Sequence, residues 1–522
     1  MSSKKIYDGI TGIRDDIIER AENYQFGKDK KLNKKSWVKW GTMAACLCLI
    51  VGAVIFSDFG AKKSAGTEEG NAAGTIFMSY SGPLLPLTTI SDASGIEVER
   101  NIDFDFSPYK WVQEGTIDIY GEESPYARYY TESIISDDYV LKNTTGEDIE
   151  LTAVYGFAGS FSDEAKYFPN VMINDSNVEA DFHAGRYTGN FFSAHGLVTE
   201  ETDKSNLLEL TEWQSYETLL AKGDYLEDAL AEYPKLDQKV IVYKLSDFNY
   251  DGSDDLATNP TIDLSFNMDK DNTVIMTWGA SGGSNDEETR TYHRHYDIPE
   301  ERERGYGKDN YLIVLGEDIE NLVVQGYKAG IYEEGKELDG AAVDIVRYEA
   351  ILGDVIWDIM IEDREEAFEG SRILDYVSDE MLYGTIAELL YDYGVLSDDV
   401  IERYDFGSLE DMVSESYHMD RVMYLTFDIV VPANESVQVS ISMVKDGSYD
   451  YYGDNESREG YDMMTTLGSS FTYTGQNASI SNTDDIVIVG QNFGFDLEND
   501  INEVPLDINE PHYYLEVSRI EE

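Results

Sequence analysis

One uncharged apolar run constrains how this chain of 522 residues can be organised. Residues 40–56 read WGTMAACLCLIVGAVIF, 17 residues without a charged side chain. With its flanks, 37–59, the segment would form a helix of ~34 Å, because an α-helix rises about 1.5 Å per residue. The hydrocarbon core of a bilayer is about 30 Å thick, so we predict a transmembrane helix over 37–59. Three alternatives fit this run, with its preceding lysines, less well: a cleaved secretory signal, a lipoprotein signal and a buried core helix.

Basic residues are concentrated before the apolar run. Residues 28–39 contain six lysines, whereas only Lys62 and Lys63 follow the run before the sequence becomes acidic. Lysine-rich flanks stay on the cytoplasmic side of a membrane. We therefore expect a single-pass protein of the cell membrane, with 1–36 in the cytoplasm and the C-terminal domain extracellular.

The overall charge excludes one class of partner. The chain has 103 Asp and Glu residues against 39 Lys and Arg residues, a formal net charge of −64. A surface of this kind repels phosphate polymers and attracts cations. We therefore expect no nucleic acid among the partners. The partners that we do expect are the membrane lipid bilayer, an extracellular ligand of unknown identity and a cytosolic protein.

The cytoplasmic segment carries an amphipathic pattern. Ile6, Ile10, Ile13 and Ile17 are spaced by four, three and four residues, which places them on one face of a helix. A helix this short is marginal on its own in water, so we expect the isoleucine face to be covered. Two coverings fit the pattern, namely the membrane surface and a docked cytosolic protein.

The N-terminal segment also resembles known proteins. It is similar to the start of uncharacterised clostridial (Firmicutes) single-pass membrane proteins over the stretch KIYDGITGIRDDIIERA, a lysine tract and SWVKWGTMAACLCLIVGAV. The N-terminus of those proteins resembles that of membrane-bound anti-sigma factors. The stretches SLEDMVSE, DRVMYLTFDIVVPA and QNFGFDL resemble the C-terminal parts of the same proteins. The resemblance implies a Gram-positive cell surface and a sigma factor as the cytosolic partner.

The region outside the membrane divides by pattern. Residues 60–97 are a Gly/Ala-rich linker, and alternating patterns with Asn, Gly and Asp turns make 98–361 and 421–522 β-rich. A helical stripe occurs near 206–232, and 362–420 reads as a helical insertion. Segments with a strand–turn–strand pattern, such as VLKNTTGEDIELTAVY, are typical of Ig-like sandwiches. We predict a mainly β fold with α insertions, in which a β-sandwich-like extracytoplasmic region follows the transmembrane helix.

An acidic loop is the sharpest metal motif. Asp247, Asn249 and Asp251 occupy positions 1, 3 and 5, a glycine follows, and Asp255 is at position 9. Oxygen ligands at this spacing can wrap a calcium ion, and the loop resembles those of FG-GAP-type repeats. An acidic turn between two strands, without metal, explains the same residues. Calcium is therefore the one candidate cofactor.

Two further motifs favour binding over catalysis. Gly279–Gly283 reads G-x-S-x-G, but a nucleophile elbow needs a helix directly after Ser281, and the sequence that follows has no helical stripe. His293 and His295 would share one strand face, either as a metal-binding pair or as a solvent-facing pair. We expect a non-catalytic sensing or binding domain that signals inward in an anti-sigma-like manner. The alternative is a cell-surface binding or structural module whose N-terminus is only an anchor.

The double substitution Ile10→Glu and Ile13→Glu should release a docked cytosolic protein without moving the anchor, because charges on the isoleucine face oppose burial. A crosslinked pull-down from native membranes, analysed by mass spectrometry, measures the bound partner. Asp15→Asn lies off the isoleucine face and should leave the partner bound. A partner that stays with the double variant would support the anchor-only alternative.

Overall fold

A computed structural model describes residues 77–520, with gaps at 118–122, 164, 187–209, 251, 253–256, 258, 287, 300–308, 331–334, 369–372, 398–407 and 451–456. The predicted membrane helix over 37–59 and the isoleucines Ile6, Ile10, Ile13 and Ile17 lie outside the described residues. Within the described residues, no helix is long and apolar enough to span a bilayer. The anchor and the partner-binding face therefore stay predictions.

Strands form most of the regular structure in the described residues, which confirms the mainly β class with α insertions. The strands of the first region are β1 (Thr88–Thr89), β2 (Ile96–Asp105), β3 (Lys110–Ile117), β4 (Glu123–Tyr130), β5 (Glu132–Asn143), β6 (Ile149–Gly159), β7 (Asn170–Ile173), β8 (Ser176–Asn177) and β9 (Asp181–Ala184). Those of the middle region are β10 (Lys239–Asn249), β11 (Thr261–Asn267), β12 (Thr273–Trp278), β13 (Gly282–Asp286), β14 (Thr291–Asp297), β15 (Asn310–Gly316), β16 (Glu320–Tyr327) and β17 (Ala342–Ile351). Those of the last region are β18 (Arg421–Val431), β19 (Ser436–Asp446), β20 (Ser448–Tyr449), β21 (Arg458–Met464), β22 (Thr472–Ser481), β23 (Ile486–Gln491), β24 (Glu503–Leu506) and β25 (His512–Arg519).

The described α-helices separate these three regions. Near 206–232, where one helix is predicted, the chain forms two, because Gly223 adopts a φ of 75° between them. Three more helices follow the middle region. The helices are α1 (Trp213–Leu220), α2 (Asp224–Ala229), α3 (Leu352–Ala367), α4 (Asp379–Asp392) and α5 (Leu409–His418).

The first and last regions pair with each other. Sheet A has the strand order β1-β6-β18-β9, and sheet B has the order β24-β22-β2-β5-β19-β7-β8. Strands β6 and β18 run antiparallel over their whole lengths, as do β5 and β19, while β2 and β22 run parallel. Buried side chains of both sheets belong to one hydrophobic cluster. Sheet E, β20-β21-β25-β23, contributes to the same cluster.

The middle region builds two further sheets. Sheet C has the order β12-β15-β10-β17, and sheet D has the order β13-β14-β11-β16. Leu312 and Val314 of sheet C share a core with Leu264 of sheet D, whereas Met276 and Ile313 belong to the cluster that contains the helices. Sheet C is thus covered on both faces, which explains why β12 is buried at every position.

A buried ion pair interrupts the apolar alternation of sheet B. Arg100 of β2 and Asp137 of β5 both occupy core-facing positions, and each is at most 1% exposed. The guanidinium donates from Nε and Nη2 to the two carboxylate oxygens, each at 2.7 Å. Tyr139 Oη donates to the same carboxylate at 2.7 Å, and Arg100 Nη1 donates to the Met464 carbonyl at 2.8 Å.

The substitution Arg100→Met should lower the free energy of unfolding by about 3–5 kcal/mol, because it leaves the Asp137 carboxylate buried without its counter-charge. Urea unfolding of the full chain in detergent, followed by tryptophan fluorescence, measures the change. Lys142→Met is the matched control, since Lys142 pairs with Glu97 at 3.5 Å on the surface. The control should change the stability by less than about 1 kcal/mol. Equal effects of the two substitutions would contradict the prediction.

Candidate functional site

The predicted calcium loop is described only in part. Asp247 and Asn249 lie at the end of β10, and both are exposed. Asp247 has a φ of 52°, and the register between β10 and β17 shifts between Ser246 and Asn249, so the strand bulges there. Asp251 and Asp255 lie outside the described residues. Among the described residues, no group of three or more His, Cys, Asp or Glu side chains is arranged to hold a metal, and calcium stays a prediction.

The G-x-S-x-G segment connects two sheets. Gly279 follows β12 of sheet C with a φ of 81°, and β13 of sheet D begins at Gly282. Ser281 donates its backbone N–H to the His295 carbonyl at 2.8 Å, and its hydroxyl lies 3.3 Å from the same oxygen. A strand, rather than a helix, follows the serine, so the segment lacks the strand–turn–helix form of a nucleophile elbow.

The two histidines face a buried carboxylate. Nδ1 of His293 lies 2.8 Å and Nδ1 of His295 lies 3.1 Å from the carboxylate of Asp263, which is 1% exposed. The two imidazole centroids are 6.5 Å apart. The pair is therefore turned towards an internal acid, and the solvent-facing arrangement considered from sequence is wrong for His295, which is 4% exposed.

The strongest candidate site is a cleft of about 450 Å³ where the helices meet sheet C. Its walls are the end of β12, the start of β15, the C-terminal turn of α3 and one side of α5. A cleft of this size is within the range of small-molecule sites. The residues that line this helix–sheet cleft are Ser162, Trp278, Gly279, Asn310, Asp363, Glu366, Ala367, Phe368, Glu410, Ser414, Tyr417 and His418.

The helical repeat explains which side chains of α5 reach the cleft. Ser408 caps the helix, and its hydroxyl accepts the N–H of Asp411. Glu410, Ser414 and His418 follow at intervals of four residues and so share one side of the helix. An isolated bridge between Thr277 and Ser408 holds the start of α5 beside β12.

A glycine shapes the opposite wall. At Gly279, directly after Trp278, a Cβ atom would come within 1.8 Å of Oδ1 of Asn310. The glycine therefore allows the chain to turn with a positive φ while Asn310 packs against its backbone. Trp278 is 6% exposed and closes this wall of the cleft.

Glu410 is the most perturbed acid of the cleft. Burial, as the largest cause, and the negative charges of Asp411 and Asp363 together raise the pKa of its carboxyl group to about 7. The Ser408 hydroxyl bonds to the carboxylate and acts in the opposite direction. Near neutral pH this group therefore exchanges between neutral and charged forms, so it can respond to the charge of a ligand.

Tyr417 lines the cleft and carries an unsatisfied polar atom. The side chain is 1% exposed, and its Oη has no hydrogen-bond partner among the described residues. Its ring packs against Phe368 with the centroids 4.9 Å apart. A buried hydroxyl without a partner costs about 1–3 kcal/mol, which a ligand atom at this position would recover.

Sequence reasoning missed the residues of this cleft. The capping serine and the acidic first turn of α5 are visible in GSLEDMVSES, but they predict only where the helix begins. Trp278, Asp363 and Tyr417 come from segments far apart in the chain, and no local pattern connects them. Their meeting depends on how the helices pack on sheet C.

Neither a protein-family model nor a curated protein matches the sequence. Among solved structures, a candidate nutrient binding protein from Legionella pneumophila matches with 6% sequence identity and a TM-score of 0.22. The match covers 84% of this chain and 70% of that one. Similarity this weak establishes neither a shared fold nor a shared function.

The substitution Glu410→Gln should stabilise the protein at pH 8 and have little effect at pH 4.5. The raised pKa means that the folded state holds its proton while the unfolded chain loses it between about pH 4.5 and 7. The wild-type carboxyl group therefore costs stability as the pH rises through this window. We expect a gain on the order of 2 kcal/mol at pH 8, after allowance for the partly open cleft.

Urea unfolding of the full chain at pH 4.5, 6 and 8 measures this effect. Glu435→Gln, which changes an exposed acid before β19, is the matched control and should show no such trend. A gain from Glu410→Gln that is the same at all three pH values would contradict the assignment.

Proposed function

We propose that this chain is a single-pass membrane protein whose acidic extracellular domain binds a small ligand in the helix–sheet cleft. Binding outside would change how the N-terminal helix holds a cytosolic protein, in an anti-sigma-like manner. The domain would sense or bind its ligand without transforming it. The observation that carries the binding role is the buried, partnerless Tyr417 Oη in a cleft of about 450 Å³.

The location rests on the sequence. The apolar run over 37–59 has the length of a membrane span, and the lysines before it favour a cytoplasmic N-terminus. The strong negative charge of the remaining chain is compatible with exposure outside the cell and with attraction of cationic ligands. The isoleucine face of residues 6–17 provides the surface that would report inward.

The binding role rests on the cleft. Aromatic side chains line the cleft, and two polar groups with perturbed or unmet interactions, Glu410 and Tyr417, reach it from α5. Concave sites with an apolar lining and a few such polar groups are the usual form of small-molecule sites. Ser281 of the G-x-S-x-G segment, by contrast, directs its hydroxyl to a backbone carbonyl.

One labelling experiment tests both location and cleft. Ser414→Cys, in a chain that also carries Cys46→Ala and Cys48→Ala, should react with a membrane-impermeant maleimide on intact cells. Ser3→Cys in the same background should react only after lysis. A low-molecular-weight extract of spent growth medium should slow the labelling of Ser414→Cys and leave that of Ser94→Cys, at an exposed turn before β2, unchanged.

Two results would contradict the proposal. Labelling of Ser414→Cys only after lysis would reverse the topology. Unchanged labelling of Ser414→Cys in the presence of the extract would argue against a ligand in the cleft.

A further inference from the structure

We infer that residues 77–87, which we call the strap, act as a latch: the half over 77–82 is held by Lys445 and Asp462, opens while the rest of the domain stays folded, and is coupled to the helix–sheet cleft. This inference rests on the proposed function, because it names the movement by which binding in the cleft would reach the segment that leads to the predicted membrane helix. Five observations support it.

The strap is packed into the domain, although it belongs to the span predicted as a linker. Every residue from Gly82 to Leu87 is buried. At Gly82, where φ is 75°, a Cβ atom would come within 2.4 Å of Cβ of Ala158 and 2.6 Å of Oη of Tyr216. The strap therefore lies in close contact with β6 on one side and with α1 on the other.

The C-terminal half of the strap is bound to the core ion pair. Leu87 donates its N–H to Tyr139 Oη at 3.1 Å, and the Leu85 carbonyl lies 3.5 Å from Nη2 of Arg100. Leu84 exchanges two backbone hydrogen bonds with β21, of 2.8 and 2.9 Å. We therefore expect this half to stay in place for as long as the core is folded.

The N-terminal half of the strap is held by polar side chains of the domain. Lys445 donates from Nζ to the Ser81 carbonyl at 2.8 Å, and Tyr80 Oη donates to the Asp462 carboxylate at 2.7 Å. Residues 78–81 are partly exposed. This half can therefore separate from the domain without the core being opened, once these two hydrogen bonds break.

Lys445 is the group on which this hold depends. It is 8% exposed, and burial lowers the pKa of its ammonium group to about 8. A buried charge needs hydrogen bonds and counter-charges, and the strap carbonyl provides one such hydrogen bond. Four acids favour the charged form of the lysine: Asp446 of β19, Asp462 of β21, Asp163 after β6 and Asp420 before β18.

Two of these acids belong to segments that also line the helix–sheet cleft. Asp163 follows Ser162, which lines the cleft and donates its N–H to the Tyr417 carbonyl at 3.0 Å. Asp420 lies two residues after His418, the last cleft residue of α5. A group that shifts α5 would therefore shift negative charge relative to the buried lysine. Occupation of the cleft and opening of the strap are thereby energetically coupled.

Hydrogen exchange of the full chain in detergent micelles, measured by mass spectrometry, tests the latch. Lys445→Met removes a hydrogen bond from a charged group, so exchange of the Ser79 and Ser81 amides should become at least about tenfold faster, as for a loss of 1.4 kcal/mol. Amides of β2 should exchange as in the wild type. Lys142→Met, at an exposed lysine of β5, is the matched control and should leave the strap unchanged.

Two further variants bracket this result. Tyr80→Phe removes only the hydrogen bond from the strap to β21, and it should speed the same amides by about three- to tenfold even if Lys445→Met fails to fold. Ser79 and Tyr449 exchange two backbone hydrogen bonds of 2.9 Å, so their Cα atoms are close enough for a disulfide. Ser79→Cys with Tyr449→Cys, in the chain that also carries Cys46→Ala and Cys48→Ala, should slow strap exchange when oxidised and release it when reduced.

A covalent group in the cleft tests the coupling. N-ethylmaleimide attached to Ser414→Cys, in the same background without native cysteines, should speed strap exchange by about fivefold or more, because it displaces α5 and with it the acids near the lysine. The same label on Ser94→Cys should leave strap exchange unchanged.

Strap exchange that is unchanged in both Lys445→Met and Tyr80→Phe, or that rises equally in β2, would overturn the latch. Strap exchange that does not respond to the label on Ser414→Cys would overturn its coupling to the cleft. These measurements use the purified chain and no natural ligand. Their failure is therefore distinguishable from a failure of the proposed function, which the labelling of intact cells decides.

Discussion

The fold depends on one buried ion pair, between Arg100 and Asp137. Both side chains point into a mainly apolar core, where an unpaired charge would be very unfavourable. They make two hydrogen bonds to each other, and their remaining donors and acceptors bind neighbouring groups. The Met464 carbonyl accepts from the guanidinium, which connects β2 to β21 of sheet E, and Tyr139 Oη accepts the N–H of Leu87 while it donates to Asp137. The segment before β1, sheet B and sheet E are thus fixed to one another at a single polar point.

Strands that are far apart in the sequence pair with each other around this ion pair. Strand β6 finds its partner in β18, and β5 finds its partner in β19, after more than 250 residues of intervening chain. The middle region and the helices are inserted between these partners. Sheet C is covered by sheet D on one face and by helices on the other, so the helices form the layer that joins the inserted sheets to the main core. The cleft lies where this layer ends, because α3 ends and α5 begins beside β12.

The acids at the cleft differ in their surroundings from most of the described acids of this chain. Few acids of the described residues are buried, and the others are screened by water and salt. Glu410 is different, because the end of the helical layer partly removes it from water and places it near Asp363 and Asp411. The same arrangement buries the phenol of Tyr417 without a partner. The junction of the layers thus holds two imperfectly satisfied polar groups, Glu410 and Tyr417, and we base the proposed ligand role on them.

The sequence by itself determined the mainly β class, since alternation of apolar and polar side chains is a local property of each strand. It also indicated helices within 362–420, although α3 begins earlier, at Leu352, where β-branched and aliphatic residues suit either structure. The membrane span and the isoleucine face are sequence predictions too, because they depend on composition and spacing alone. Only the tertiary structure decided that Arg100 and Asp137 would be core residues, that β6 would pair with β18, and that Trp278 and Tyr417 would meet. Each of these depends on contacts between distant segments, and local patterns carry no information about which segments will pack together.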